Sequence, residues 1–259
     1  MPFTHAPTFK LDECSPELCL AILAVGAAAR YESKSATQLF HYARLMILER
    51  QSLRTRAALR ELTTSESDAT AVSRTDTDEV SCLLCLGWLA TWQTDLGLRE
   101  EAMILRGLLA QTLRLTGLRE TRRSSDIAWE AWAKQESERR ANLLAFCFLN
   151  TQGIVHNLPP IIWSYEMDLK LPCTCPEWTA PDSVTWRLLH QDNHNEQPTF
   201  PDALKDLLST GQGTMRKYVP TPAANYVLLH GLIQDIVWTP PPLGTLNVRR
   251  SSDQQELFQ

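Results

Sequence analysis

Glycine is scarce, with only 10 in 259 residues. Low glycine beside abundant Ala, Leu, Arg and Glu favours helix over sheet. No apolar run reaches the length needed to span a bilayer. The opening Met-Pro-Phe-Thr-His lacks the charged-then-apolar pattern of a secretory signal. There is no excess of positive charge, since the formal net charge is −5. That balance weighs against a nucleic-acid binder, which needs a basic face. Seven cysteines make an odd number without disulfide-scaffold spacing, the pattern of a reducing compartment. The chain is therefore expected to be soluble, in the nucleus or the cytoplasm. It holds no Gly-rich phosphate loop, no HExxH and no GxSxG. No strand-like alternation extends beyond a few residues, and no fixed-period repeat is visible.

What is present is helical periodicity. Ser15-Pro16-Glu17 joins a capping hydroxyl, a proline at the first turn and an acid, which starts a helix running to Ala29. A second helix is predicted over about Ser35 to Gln51, with Leu39, Tyr42, Ala43, Met46 and Ile47 as its apolar stripe. A short third helix follows over Arg54 to Leu62. Thr63 to Asp78 is rich in Ser, Thr and Asp and reads as a mobile loop. Asp78-Glu79 opens a strong helix that Gly97 breaks. The next helix carries Ala102, Leu105, Leu108, Leu109 and Leu113 and stops at Gly117. Two helices with so short a joint form an antiparallel hairpin. Asp126 caps a longer helix reaching Asn150, whose second half, Leu143 to Leu149, is apolar all round and belongs in the core. Pro159, Pro160, Pro172 and Pro176 exclude a long helix from Asn157 to Trp178 and imply an extended, packed segment. Shorter helices are expected over Thr185–His190, Phe200–Leu208 and Asn225–Val237. The expected fold is all-α, a multi-helix orthogonal or antiparallel domain with a proline-rich extended segment. Its expected limits are an N-terminal arm at 1–14, a helical domain at 15–238 and a polar tail at 239–259.

Several constellations bear on chemistry. Cys173 and Cys175 with His190 and His194 approach a zinc-site pattern, but only one residue separates the cysteines where a finger has two to four. The group reads as a chance spacing, and no metal or other cofactor is expected. Cys82 and Cys85 have CxxC spacing inside an apolar helix, whereas a redox pair would sit at a helix N-terminus. The arginines at 44, 50, 54, 56 and 60, and those at 114, 119, 122 and 123, read as solvated helix faces or helix C-termini. Glu136, Arg139 and Arg140 sit together before an apolar run. Glu136 as a catalytic acid or base is one reading. A structural charge clamp closing the core at a helix crossing is the preferred one. Trp132, Glu136 and Arg140 share one helix face, and Trp132 is expected to pack against the hairpin of residues 79–117.

Several segments in succession resemble the fungal-specific transcription factor domain, the middle homology region of fungal zinc-finger and zinc-cluster regulators. Trp132-Ala-Lys-Gln-Glu136-Ser-Glu-Arg139-Arg140 is similar to that family's tryptophan, glutamate and paired arginines leading into an apolar helix. Leu158-Pro159-Pro160, Met167-Asp168-Leu169-Lys-Leu171-Pro172, Cys173 and Pro176-Glu177-Trp178 follow in the family's order. Upstream, Phe40-His-Tyr-Ala43-Arg44 and Leu113-Arg114-Leu-Thr-Gly117-Leu118 resemble its helix ends. Downstream, Ala224-Asn225-Tyr226 through Leu232 resembles a helix of members with paired two-cysteine two-histidine fingers. The family usually ends its central helix with aspartate, where this chain has Asn150, a change expected to affect a buried pairing with Arg139 or Arg140. No zinc finger or six-cysteine cluster precedes the domain here, so no DNA contact carries over to any residue.

The resemblance implies a regulatory or interaction module of a fungal transcription regulator without its own zinc reader, working through a protein partner or as a homodimer. The rival reading is a helical domain recruited as an enzyme of fungal secondary metabolism. In that case Trp88, Trp92, Trp129 and Trp132 would line a site for a small apolar ligand. No nucleophile is paired with a base by local spacing, which ranks the enzyme second.

Overall fold

The computed structural model describes residues 1–63, 77–120, 127–192, 197–209 and 221–238. Within them the chain is all-α, with nine α-helices and no sheet. The expected loop at 64–76, the Asp126 cap, Arg122, Arg123, His194 and the 239–259 tail lie outside the described residues.

Helix α1 (Pro16–Ala29) begins where the Ser15-Pro16 signal places it. It buries Leu18, Ala21, Ala24 and Ala27 along one narrow stripe. Small side chains there let α2 approach closely. Helix α2 (Ser33–Thr63) is continuous, where the sequence pattern suggested two helices. Its buried stripe is Ala36, Phe40, Ala43 and Ile47, and Tyr42 is 62% exposed. The expected stripe is thus rotated toward Phe40. The physical reason is ionic as well as apolar. Arg44 pairs with Glu101, Arg50 with Glu17 at 2.7 Å, and Arg54 with Glu79. Glu17 and Glu79 are each 2% exposed. Arg50 and Arg54 therefore turn inward as partners for buried carboxylates, Arg44 pairs with the half-buried Glu101, and the three are not solvated faces. Pairing at Arg50 and Arg54 holds the helix through the point where the apolar pattern weakens.

Helices α3 (Thr77–Thr91) and α4 (Leu96–Thr116) form the expected hairpin. The break falls at residues 92–95, ahead of Gly97. Asp95 caps α4 by accepting from the Leu98 amide at 2.9 Å, so Gly97 lies within the first helical turn. Gly117 ends α4.

Helix α5 (Trp129–Val155) is the central element and touches α3, α4, α7 and α9. Residues 145–150 are all buried. Residues 158–174 then run without α-helix, holding one 3-10 turn at Ser164–Glu166 and single bridges from Asp168 to Arg119 and Lys170 to Thr199. Gln234 pins this segment, accepting from Ser164 N at 2.7 Å and donating to Ile162 O at 3.0 Å. Short helices α6 (Cys175–Trp178), α7 (Ser183–Asp192) and α8 (Phe200–Ser209) precede α9 (Pro222–Trp238). Gly231 permits α8 and α9 to close up, because a Cβ there would lie 2.9 Å from the Phe200 ring.

Among the described residues, most of the buried apolar side chains fall into two clusters. The larger joins α1 to α5 with α8, α9 and part of 158–174. The smaller consists of Trp132, Ala133, Cys173, Ala180 and Trp186. The arm at 1–14 is folded onto this body, since Phe3 and His5 are 6% and 2% exposed. Among the described residues, no helix is long and apolar enough to cross a membrane.

Candidate functional site

Three consecutive turns of α5 carry Trp132, Glu136 and Arg140 on one face, as helical spacing requires. Glu136 is fully buried. Its Oε1 accepts from Arg140 Nε at 2.8 Å and from the Cys173 amide at 2.9 Å. Its Oε2 accepts from Arg139 Nη1. Arg139 reaches on to Glu120, with Nε donating to Oε2 at 3.2 Å and Nη2 donating to Oε1. Burial opposes charge on Arg139, yet Glu136 and Glu120 outweigh it and hold the guanidinium protonated. Burial likewise opposes charge on Glu120, and the Arg139 hydrogen bonds override it, so its carboxyl sits below the usual range. Arg140 Nη2 donates to Cys173 O at 3.3 Å, and its guanidinium lies 4.0 Å from the Trp178 ring centroid. The structure thus brings Glu136, Arg139 and Arg140 into one network, and adds Glu120, Cys173 and Trp178 from distant parts of the chain.

The four candidate tryptophans do not share one pocket. Trp88 on α3 and Trp92 just past its end have ring centroids 5.9 Å apart and are about half exposed, at 51% and 45%. Trp129 and Trp132 lie at the other end of α5. Trp132 packs against Trp186 at 5.2 Å, while His5 is wedged edge-on between Trp129, Trp132 and Trp178. Trp132 is therefore covered by α7 and the N-terminal arm, not by the hairpin. Spacing fixed its face correctly, but the hairpin meets α5 further along, where Phe148 packs against Gly87.

A cavity of about 510 Å³ opens between α1, α3, α5 and α9, closed on one side by residues 1–3. Trp88, Phe148 and Tyr226 give it an aromatic wall, and Leu84 and Leu143 continue the apolar lining. Arg140 contributes the one formally charged side chain among its lining residues. A second, more open cavity of about 770 Å³ lies between the arm and the start of α5, with His5, Lys10, Trp129 and Lys134 on its walls. Its lining is much more polar.

The cysteines follow burial. Cys82 and Cys85 are enclosed within α3, and burial pushes Cys85 up to about 12 and Cys82 well above its ordinary value. Burial first, and then the Glu136 charge, also pushes up the Cys173 thiol. His190 Nδ1 lies 3.0 Å from Glu177 Oε1, and its ring stacks on Trp186. Among the described residues no group of three His, Cys, Asp or Glu is arranged to hold a metal.

Asn150 takes a role that sequence reading placed elsewhere. It lies three turns beyond Arg139, out of reach of that network. Its Nδ2 donates to His230 O at 2.9 Å, which ties α5 to α9.

The family model for the fungal specific transcription factor domain matches residues 1–257. No curated protein and no solved structure matches the chain. The ordered motifs, the all-helical architecture and a match over nearly the whole length agree. The chain belongs to the fungal specific transcription factor domain family.

Proposed function

We propose that this chain is the regulatory module of a fungal transcription regulator, and that occupancy of the cavity between α1, α3, α5 and α9 sets its output. The cavity carries this reading. About 510 Å³ is within the range of sites for small molecules, and its lining is apolar with one charged side chain. Family membership supports the regulatory part. The cavity is bounded by elements far apart in sequence, so an occupant bears on α1, α3, α5 and α9 together. The net charge of −5 favours DNA contact through another segment or a protein partner. The place of action on this reading is the nucleus.

A reporter tests it. The chain is placed between a heterologous DNA-binding domain and an activation domain in yeast, as wild type and as Ala223→Trp. Ala223 lines the cavity and is half-buried, so tryptophan there fills the space. A reporter output that differs several-fold between the two fusions, at equal protein level, is the expected result. Equal output from both, matching a fusion without the chain, would sink the proposal.

A further inference from the structure

The hydrogen-bond inventory of Arg140 is incomplete. Its guanidinium has five N–H donors. Nε is committed to Glu136 and Nη2 to the carbonyl and, at 3.5 Å, the sulfur of Cys173. One face is covered by Trp178. Among the described residues Nη1 donates to no acceptor, and it is not sealed off as a buried orphan atom. The side chain is nonetheless only 8% exposed. Arg140 lines the 510 Å³ cavity and not the second one. A guanidinium clamped along one edge and one face, on a side chain that lines an apolar cavity, is a preorganised donor.

We propose that the cavity binds an apolar small molecule bearing a carbonyl or carboxyl oxygen, and that Arg140 Nη1 is the group that recognises this oxygen. The charge count favours a ligand of either kind. Glu120 and Glu136 already balance Arg139 and Arg140 in the network, so the oxygen need not carry a full negative charge. It needs only to accept a hydrogen bond. Discrimination follows from desolvation: a molecule of the same shape without oxygen would cover Nη1 and leave a charged donor unpaired, which is costly. The aromatic wall of Trp88, Phe148 and Tyr226 suits a flat or fused-ring body. The inference rests on the regulatory reading only for its consequence in the cell, because binding is measured on the isolated chain.

The experiment uses probes of one shape. 2-Naphthoic acid, 2-acetylnaphthalene and 2-ethylnaphthalene are titrated into the full chain by calorimetry, with thermal shift as a second readout. The two oxygen-bearing probes are expected to bind about tenfold or more tighter than 2-ethylnaphthalene. Their order tells whether the oxygen is better presented by an acid or a ketone, and either order supports the proposal. Removing Arg140 alone would strand Glu136, so the paired variant Glu136→Gln/Arg140→Met removes both charges and leaves Arg139 with Glu120. The oxygen preference should vanish in that variant while 2-ethylnaphthalene affinity is retained. Ala223→Trp should abolish binding of all three probes. The proposal is overturned if no probe binds, if wild type shows no oxygen preference, if the preference survives the paired variant, or if Ala223→Trp binds like wild type. A positive binding result with an unresponsive reporter would overturn only the regulatory reading.

Discussion

Glu136→Gln separates a buried charge from its partners while hardly changing the side-chain shape. The carboxylate is fully buried and accepts from two arginines and one amide. Gln can accept at one end, but its amide NH₂ must then face a guanidinium, donor against donor. Breaking a buried ion pair by removing one member costs about 3–5 kcal/mol. Gln keeps part of the hydrogen bonding, so the lower figure of about 3 kcal/mol applies. For a chain of this size 1 kcal/mol moves the melting temperature by about 2–4 °C. The expected drop is therefore about 6–12 °C, from a total stability of about 5–15 kcal/mol. Glu120→Gln provides the contrast. Glu120 is on the rim, with its side chain 30% exposed, where a pair is worth about 0–1 kcal/mol. Glu136→Gln/Arg140→Met should regain part of the loss, since neither stranded charge remains. Thermal melts give the temperature shift, and urea denaturation of the four proteins, both followed by far-UV circular dichroism, gives the free energies. A Glu136→Gln protein within about 1 kcal/mol of wild type would refute the reasoning, as would Glu120→Gln costing as much as Glu136→Gln.

Trp132→Ala should destabilise by about 3–5 kcal/mol, because the ring is 7% exposed and packed on Trp186. Trp88→Ala, half exposed, should cost less than about 2 kcal/mol by the same urea assay. Burial lowers the proton affinity of both His5 and His230 in the folded chain. The unfolded chain then binds protons more readily, so the stability they contribute is present above about pH 6.5 and is lost as pH falls from there through the folded values. Denaturation midpoints should drop between pH 7.5 and 5.5, and His5→Gln/His230→Gln should flatten that slope. Asn150→Asp removes the donor to His230 O and should cost about 1–3 kcal/mol at pH 8. An aspartate beside His230 would raise the imidazole's folded pKa, so the loss should shrink as pH falls below about 6.5. A loss that stays constant between pH 8 and 5.5 would contradict this geometry.

What was legible in the sequence was local. The start of α1 follows from Ser15-Pro16, and the end of α4 from Gly117. The grouping of Glu136, Arg139 and Arg140 follows from spacing within one helix. Tertiary partners were not legible. Nothing near Arg50 or Arg54 announces that Glu17 and Glu79 will be buried against them, so α2 reads as two helices. Helical periodicity assigns Trp132 to a face but does not say which element covers that face. The insertion of His5 among three tryptophans has no sequence signal, because the arm is drawn in by rings well over 100 residues away. The cavity was missed for the same reason. Trp88 was picked out for its aromatic character, but its companions there are Phe148 and Tyr226 rather than Trp129 and Trp132.

One helix, α5, belongs to both hydrophobic clusters, and its backbone should record the fact. The smaller cluster has five buried apolar residues and is closed by the four-residue α6 and the ten-residue α7. Few buried residues oppose its transient opening, so it is expected to open as a separate cooperative unit below the free energy of global unfolding. The larger cluster grips α5 from Ala141 onward. Amide hydrogens at the start of α5, through about Glu136, would then exchange with solvent through partial unfolding. Those beyond Ala141 would wait for the whole chain to open. A single unbroken helix would show two exchange regimes, with the boundary at the residues where Glu136 meets its two arginines.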